Sequence, residues 1–300
     1  MEIVFIGFGE AAYHLCLGLA GNPAIHPGAF DAALDDPERG RVIRIRAQKA
    51  GVQLYTTLPD ACATARYIIC LTSADSALSV ARQVLPLLGR GQHYIDMNSA
   101  SPAVKQAINA LPRHAGVGFC DAAVMGTVPE RGHRVPVLLA GTAAQPFADD
   151  LAPYGMDLTV LQAEPGAASA IKMLKSVVMK GLPQLFIESF CAAEKFGVLA
   201  QLVDSLGQSL NGKTVEQLAE TFCARTLLHA GRRSAEMRDV VDTLRTLQVD
   251  SGMSEAARKK LAAQSARSSA ACLAPEGEQL NWQNTIVRLV RHERGICDEK

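Results

Sequence analysis

Two groups of residues in this chain have the types and spacing to do chemistry. The first is Gly7-Phe8-Gly9-Glu10-Ala11-Ala12, which follows the apolar run at residues 3–6. Gly7, Gly9 and Ala12 fit the pattern G-x-G-x-x-A between a strand and a helix. The first glycine permits a sharp turn. The second removes a side chain where a diphosphate must come close, and the small residue at 12 lets helix and strand pack tightly. Backbone N–H groups at the helix N-terminus then face the phosphates. Such turns are common, so the weight rests on this one's position directly after the first strand. A dinucleotide site also asks for an acid about twenty residues further on, at the end of the second strand. Asp31, in "AFDAALDD", stands there. Its carboxylate would accept hydrogen bonds from the ribose of NAD and repel the extra phosphate of NADP, which favours NAD over NADP. A solvated loop acid is the alternative reading, with Asp35 and Asp36 close by. Arg39, Arg41, Arg44 and Arg46 could instead receive a 2′-phosphate.

The second group lies in "PGAASAIKMLKS", which sets Lys172 and Lys175 three residues apart on a mainly apolar helix. At that spacing the two ammonium groups are neighbours on one face. Like charge and burial both lower a lysine pKa, which suits proton transfer near neutral pH. Ser176 is one turn beyond Lys172 and could share a ligand. Two snorkelling surface lysines are the plain alternative.

The elements that must hold these residues come in two textures. Strand-like runs at residues 3–6, 29–31, 67–71, 93–97, 116–123 and 135–140 alternate with Ala-rich helical stretches at 11–20 and 74–88. Alternation of this kind builds βαβ units and a mainly parallel sheet. Strands that are apolar almost throughout expect helices on both faces. After about residue 165 helical periodicity takes over, in keeping with its own domain. Helices are expected at 167–196, with a kink or break near Gly181–Pro183, and at 199–209, 214–247 (with a possible break at Gly231) and 254–271. The expected architecture is an α/β Rossmann-type N-terminal domain over residues 1–164, followed by an all-α domain over 165–300 for substrate and dimerisation.

Composition narrows the function classes. Lys plus Arg and Asp plus Glu balance at 30 each, so no basic field invites nucleic acid or an anionic membrane. No uninterrupted apolar stretch is long enough to span a bilayer, and the N-terminus lacks a basic leader. Cys16, Cys62, Cys70, Cys120, Cys191, Cys223, Cys272 and Cys297 form no C-x-x-C pair, and no His/Cys cluster has metal spacing. They read as reduced thiols of a cytoplasmic protein.

With these residues in view, the chain resembles the β-hydroxyacid dehydrogenase family, which includes 3-hydroxyisobutyrate and 6-phosphogluconate dehydrogenases. Three blocks carry the likeness. The glycine turn at residues 7–12 matches the family's dinucleotide turn. "DAAVMGTVPERGHRVPVLLAG", from Asp121, is similar to its substrate block D-A-P-V-S-G-G. Gly166-x-Ala168-x-x-x-Lys172 is similar to G-x-G-x-x-x-K-x-x-N-N. Between the first two, "YIDMNSASP" resembles D-x-S-T-x-x-P, with Asn98 and Ser99 at the Ser-Thr positions. The resemblance implies that Lys172 is the catalytic general acid/base. It places Gly126 in the substrate loop with Met125, Thr127 and Ser99, and Thr72, Ser73 and Asn98 toward the cofactor.

The departures shape the expected substrate. Met125 stands at the family's serine, Thr127 at its second glycine, and Lys175-Ser176 at its Asn-Asn pair. An extra lysine suits a more anionic substrate than 3-hydroxyisobutyrate. Met179 stands where 6-phosphogluconate dehydrogenase carries an acidic proton donor, which rejects that activity. "ARTLLHAGRRSAEMRDVVDTLR" resembles the short helical domain of a poorly characterised bacterial branch. There Arg225, His229, Arg232 and Glu236 form one polar stripe, read either as a solvated face or as a wall of the substrate pocket. The expectation is an NAD(P)-dependent enzyme passing a hydride between nicotinamide and a carbon bearing OH or C=O. Its small-molecule substrate would sit between the two domains, and the apolar 167–196 segment would be shared in a homodimer. An imine reductase is the runner-up, although such enzymes often replace the lysine. A cofactor-binding regulator without turnover is a reading of another class.

Overall fold

The computed structural model describes residues 1–224, 226, 228–267 and 281–293. The chain divides into two compact units, Met1–Val177 and Val178–Lys300.

The first unit is built on eight strands: β1 (Glu2–Ile6), β2 (His26–Phe30), β3 (Gln53–Leu54), β4 (Tyr67–Cys70), β5 (His93–Asp96), β6 (Gly118–Val124), β7 (Val137–Ala140) and β8 (Leu158–Val160). Their order is β3-β2-β1-β4-β5-β6-β7-β8. Every pair is parallel except β6 with β7. Alternate residues of each strand serve opposite faces. Ile3 and Phe5 of β1 join one apolar cluster, and Val4 and Ile6 join the other. Both faces are covered, by α1 (Glu10–Leu19), α2 (Arg39–Ala50) and α7 (Ala144–Leu151) on one side and by α3 (Leu58–Cys62), α4 (Ala77–Val84) and α5 (Pro102–Asn109) on the other. The short helix α6 (Val128–Arg131) follows β6. A sheet buried on both faces explains the nearly uninterrupted apolar strands.

The strand order reverses direction at β1, between β2 and β4. In such sheets ligands bind at the carboxyl ends of the strands beside that switch point. Four candidate segments end up there: Gly7 after β1, Asp31 after β2, Thr72 after β4 and Ser99 after β5.

Some elements differ from the sequence expectation. β2 starts at His26, ahead of the expected residue 29, and runs through Pro27-Gly28. His26 donates to the Met1 carbonyl on the β1 side, so Pro27 faces the other way, toward β3, which pairs only with Gly28 and Ala29 and asks it for no donor. Gly28 is required because a Cβ there would meet Tyr55 Cε2 at 2.6 Å. β3 and β8, of two and three residues, carry too little pattern to be read in advance.

Helix α8 (Ala167–Phe196) holds Lys172. It runs unbroken through Pro183, where a break was one expectation; the proline removes a single backbone donor from a helix of 30 residues. The second unit continues with α9 (Leu199–Leu210), α10 (Val215–Cys223), α11 (Ala230–Thr246), α12 (Gly252–Arg267) and α13 (Trp282–Glu293). Thr214 and Gln217 form a capping box at the start of α10. The expected helix at 214–247 divides before Gly231, not at it. Gly231 lies inside α11, where a Cβ would stand 2.9 Å from Ser265 Oγ of α12, so this glycine serves close helix packing. Glu188, nearly buried, accepts the N–H groups of Met253 and Ser254 and so caps α12.

Candidate active site

The glycine turn is held from both sides. Gly7 has φ +90°, and a Cβ there would lie 2.5 Å from the Leu71 carbonyl oxygen and 2.8 Å from Thr72 Cγ2. Its N–H donates to the Phe30 carbonyl. Phe8 turns its ring into the core, fully buried, and its N–H donates to Asp31 Oδ2 at 2.8 Å. Asp31 Oδ1 accepts the Ala33 N–H at 2.8 Å. Asp31 thus braces the turn, and each of its oxygens keeps a free lone pair for a hydroxyl donor. Gly9 is the N-cap of α1 and makes no side-chain cap bond; a Cβ on it would meet no atom within 4 Å. Glu10 is exposed, Ala11 half-buried and Ala12 buried against the core. A helix start without a side-chain cap, beside open space at Gly9, fits the diphosphate of a dinucleotide.

The two glycines should therefore fail in different ways. Gly7→Ala is expected to cost about 3 kcal/mol or more of stability, from a left-handed backbone and a backbone clash. Gly9→Ala should fold with little loss and weaken cofactor binding by about tenfold or more, equivalent to about 1.4 kcal/mol. Urea unfolding and cofactor titration of both variants check this.

The loops after β4 and β5 are tied together beside the turn. Asn98, nearly buried, accepts the Thr72 N–H at 2.6 Å and donates to Asp96 Oδ1 at 2.7 Å and Cys70 Sγ at 3.2 Å. Every polar atom of its side chain is bonded inside the protein, so Asn98 braces the Thr72 loop. Ser73 is exposed and accepts the Ser76 N–H at the start of a short helical turn. It stands at the open rim.

Lys172 and Ser99, from separate sequence blocks, are brought together: Lys172 Nζ donates to Ser99 Oγ at 2.8 Å. Lys172 is half-buried, and burial holds its amine below the ordinary lysine range. The second cause is a cation absent from the sequence expectation. It is Lys105 of α5 rather than the i+3 neighbour Lys175, whose side chain is exposed. Ser176 donates its hydroxyl to the Lys172 carbonyl and is bound to its own helix. Met125 packs beside Ala123, Ala140 and Ala168, which sets the end of β6 against the start of α8. Gly126 and Thr127 follow it, both exposed; a Cβ at 126 would meet Val135 Cγ2 at 3.2 Å.

Beneath this site lies a group of buried charges. Asp96 and Asp121 are register partners on parallel β5 and β6, so both carboxyl groups leave the sheet on one face. Lys105 Nζ donates to the Asp96 carbonyl oxygen at 2.7 Å and lies 3.2 Å from Asp96 Oδ2 and 3.5 Å from Asp121 Oδ1. All three side chains are fully buried. Asp121 also accepts the Gly166 N–H at 2.9 Å, the Ser169 N–H at 3.1 Å and the Ser169 hydroxyl at 2.6 Å. It therefore caps the helix that carries Lys172. Burial raises the Asp96 carboxyl above the usual range, against the pull of Lys105. The sequence held one trace of this group, two aspartates within apolar strands; Lys105 by itself reads as an ordinary helix lysine.

The polar stripe of the second unit is partly described. Arg232 and Glu236 form an exposed i,i+4 ion pair, and His229 precedes α11. Arg225 lies outside the described residues, as do Cys272 and Cys297. Cys16, Cys62, Cys70 and Cys120 are buried free thiols. Among the described residues no helix is long and apolar enough to cross a membrane, and no three His, Cys, Asp or Glu side chains gather as a metal would require.

Comparison with known proteins agrees with this anatomy. Residues 36–153 match the NAD-binding domain of 6-phosphogluconate dehydrogenase, and residues 193–264 match a domain of unknown function, DUF1932. A conserved hypothetical protein from Sinorhizobium meliloti 1021 is 31% identical, with 97% of this chain and 96% of that chain covered and a TM-score of 0.62. MTH1747, a conserved protein of unknown function described as structurally similar to 3-hydroxyacid dehydrogenases, is 29% identical over 88% of this chain and 96% of its own, also with a TM-score of 0.62. An imine reductase from Myxococcus stipitatus in complex with NADP+ shares the fold at 15% identity, with 97% and 100% covered and a TM-score of 0.69. The chain belongs to the hydroxyacid dehydrogenase-like family, as a Rossmann-type NAD-binding domain of the 6-phosphogluconate dehydrogenase kind followed by a helical DUF1932 region.

Proposed function

We propose that this chain is an NAD(P)-dependent oxidoreductase that interconverts an anionic hydroxy acid and its carbonyl form, with Lys172 as general acid/base. The observation that carries the reading is the half-buried Lys172 amine, 2.8 Å from Ser99 Oγ, on a helix capped by Asp121 of the same sheet that ends in the glycine turn. The turn residues Gly7, Phe8 and Gly9 and the first turn of α1, Glu10 to Ala12, would hold the cofactor diphosphate, and Asp31 the ribose. Thr72 and Ser73 would line the cofactor, with Asn98 as brace. When bound, the nicotinamide supplies hydride transfer to or from a substrate carbon. Lys172 takes the proton from the substrate hydroxyl in oxidation and returns it to the carbonyl oxygen in reduction. Ser99 orients that amine. Met125, Gly126, Thr127, Lys175 and Ser176 form the remaining substrate contacts, and the two lysines favour a carboxylate-bearing ligand. The position of Asp31 supports NAD over NADP.

A panel of β-hydroxy acids, the matching oxo acids and cyclic imines, run with both cofactors, tests the reading. Turnover of a hydroxy or oxo acid is the expected result. Turnover of imines alone would assign the runner-up activity, and cofactor binding without turnover of any compound would make the chain a regulator.

The free thiols support a reducing, cytoplasmic setting. Leu174, Val177, Val178 and Met179 of α8 are between 59% and 70% exposed, an apolar surface that a second copy would cover. A homodimer by light scattering is the expected outcome, and a clean monomer would reject it.

A further inference from the structure

The buried charges beneath the site do more than fill space. Two carboxylates placed in register on adjacent strands repel each other, and among the described residues Lys105 is the cation set between them. Through Asp121 this trio reaches the backbone at Gly166 and Ser169, three residues before Lys172. Through Asp96 it reaches Asn98, and from there Thr72. One connected set of bonds therefore runs from the cofactor loop to the helix of the proposed acid/base.

We propose that Lys105 is a positioning residue for Lys172: its buried cation, fixed between Asp96 and Asp121, anchors the start of the Lys172 helix and sets the field at the Lys172 amine. This rests on the acid/base reading given above. Lys105 itself has no exposure and touches neither solvent nor ligand. The charged groups in the field are Asp96 from β5, Asp121 from β6, and Lys105 and Lys172 from α5 and α8. Cys70, Tyr94 and Cys120 face the same carboxylates, and burial keeps all three in their neutral, protonated forms. The balance of charge on Lys172 thus depends on Lys105 against two aspartates. The Lys105 cation also lowers the Lys172 amine directly, by repulsion between like charges.

Two variants that break the same ion pair from opposite ends separate this role from simple support. Lys105→Met removes the cation. Asp96→Asn removes an anion at nearly constant shape: Asn98 can keep both its bonds to the retained oxygen, and the cost falls on the contact with Lys105, whose Nζ lies 3.2 Å from the Oδ2 that becomes an amide NH2. The free-amine fraction of Lys172 is read on the whole protein, without substrate, by trace acetylation with acetic anhydride across pH and peptide mass spectrometry. The titration is expected to move up in Lys105→Met and further down in Asp96→Asn. A merely structural cluster would move both variants up, toward an ordinary exposed lysine, or neither, and either result overturns the proposal. If Lys105→Met does not fold, the direction in Asp96→Asn decides alone. The acid/base reading fails separately, through an active Lys172→Ala. An inactive Lys172→Ala with an unmoved titration in both variants removes only the role of Lys105.

Discussion

Lys172→Ala is expected to lower kcat by about 10²–10⁴-fold, the usual range for loss of a positioned acid/base. That corresponds to roughly 3–5 kcal/mol of barrier. Cofactor affinity should stay near the wild-type value, because the glycine turn and Asp31 are held by contacts that do not involve Lys172. Lys172→Arg is the informative control. It keeps a cation for the substrate carboxylate, but a guanidinium does not release its proton near neutral pH. The arginine variant should therefore recover substrate binding without recovering turnover. Steady-state kinetics together with cofactor titration of the three proteins separate these effects.

Asp121→Ala carries the largest expected loss of stability, about 3–5 kcal/mol, the range for removing one partner of a buried ion pair. Lys105 would be left with Asp96 alone, and the N–H groups of Gly166 and Ser169 would lose their acceptor. For a chain of this size that means a fall in Tm of roughly 10 °C or more. Lys105→Met placed in the same chain should add less than its separate cost, since both changes break one contact. Thermal unfolding of the two single variants and the double variant measures that coupling. Equal and additive losses would mean that the pair does not act as a unit.

The sequence carried the parts of this molecule that repeat a local rule. The glycine turn announced itself because Gly7 and Gly9 sit where β1 meets α1, and the structure gives each a distinct need: one for its backbone angle, one for open space. The strands β1, β4, β5 and β6 were legible because a sheet covered on both faces leaves apolar runs. β2 was read short because Pro27 and Gly28 imitate a turn, and only the pairing pattern of its neighbours shows why they are tolerated. In the second unit α9 and α12 were legible; the separation of α10 from α11 was not, because Gly231 is spaced for contact with α12 and not for a break, and α13 was not expected at all.

The candidate site divides the same way. Lys172 and Ser99 were each legible within their own blocks, and their meeting at 2.8 Å is tertiary information. The Lys105 cluster was hidden because its three members lie on three elements, and each alone reads as an ordinary polar residue. Lys105 falls on the buried face of α5 only once that face is known. Spacing pointed to Lys175 as the cation acting on Lys172, since neighbours on a helix can be counted and neighbours across a sheet cannot.

The pH dependence of kcat/KM, compared between the wild type and Lys172→Met, tests the central claim most directly. Oxidation needs the free amine, so its rate should rise with pH and level off above an ionisation lying below the ordinary lysine value of 10.5. Reduction needs the ammonium form and should fall through the same ionisation. Both limbs should vanish in Lys172→Met, along with most of the rate. The same rising and falling limbs in the methionine variant, at a comparable rate, would contradict the account.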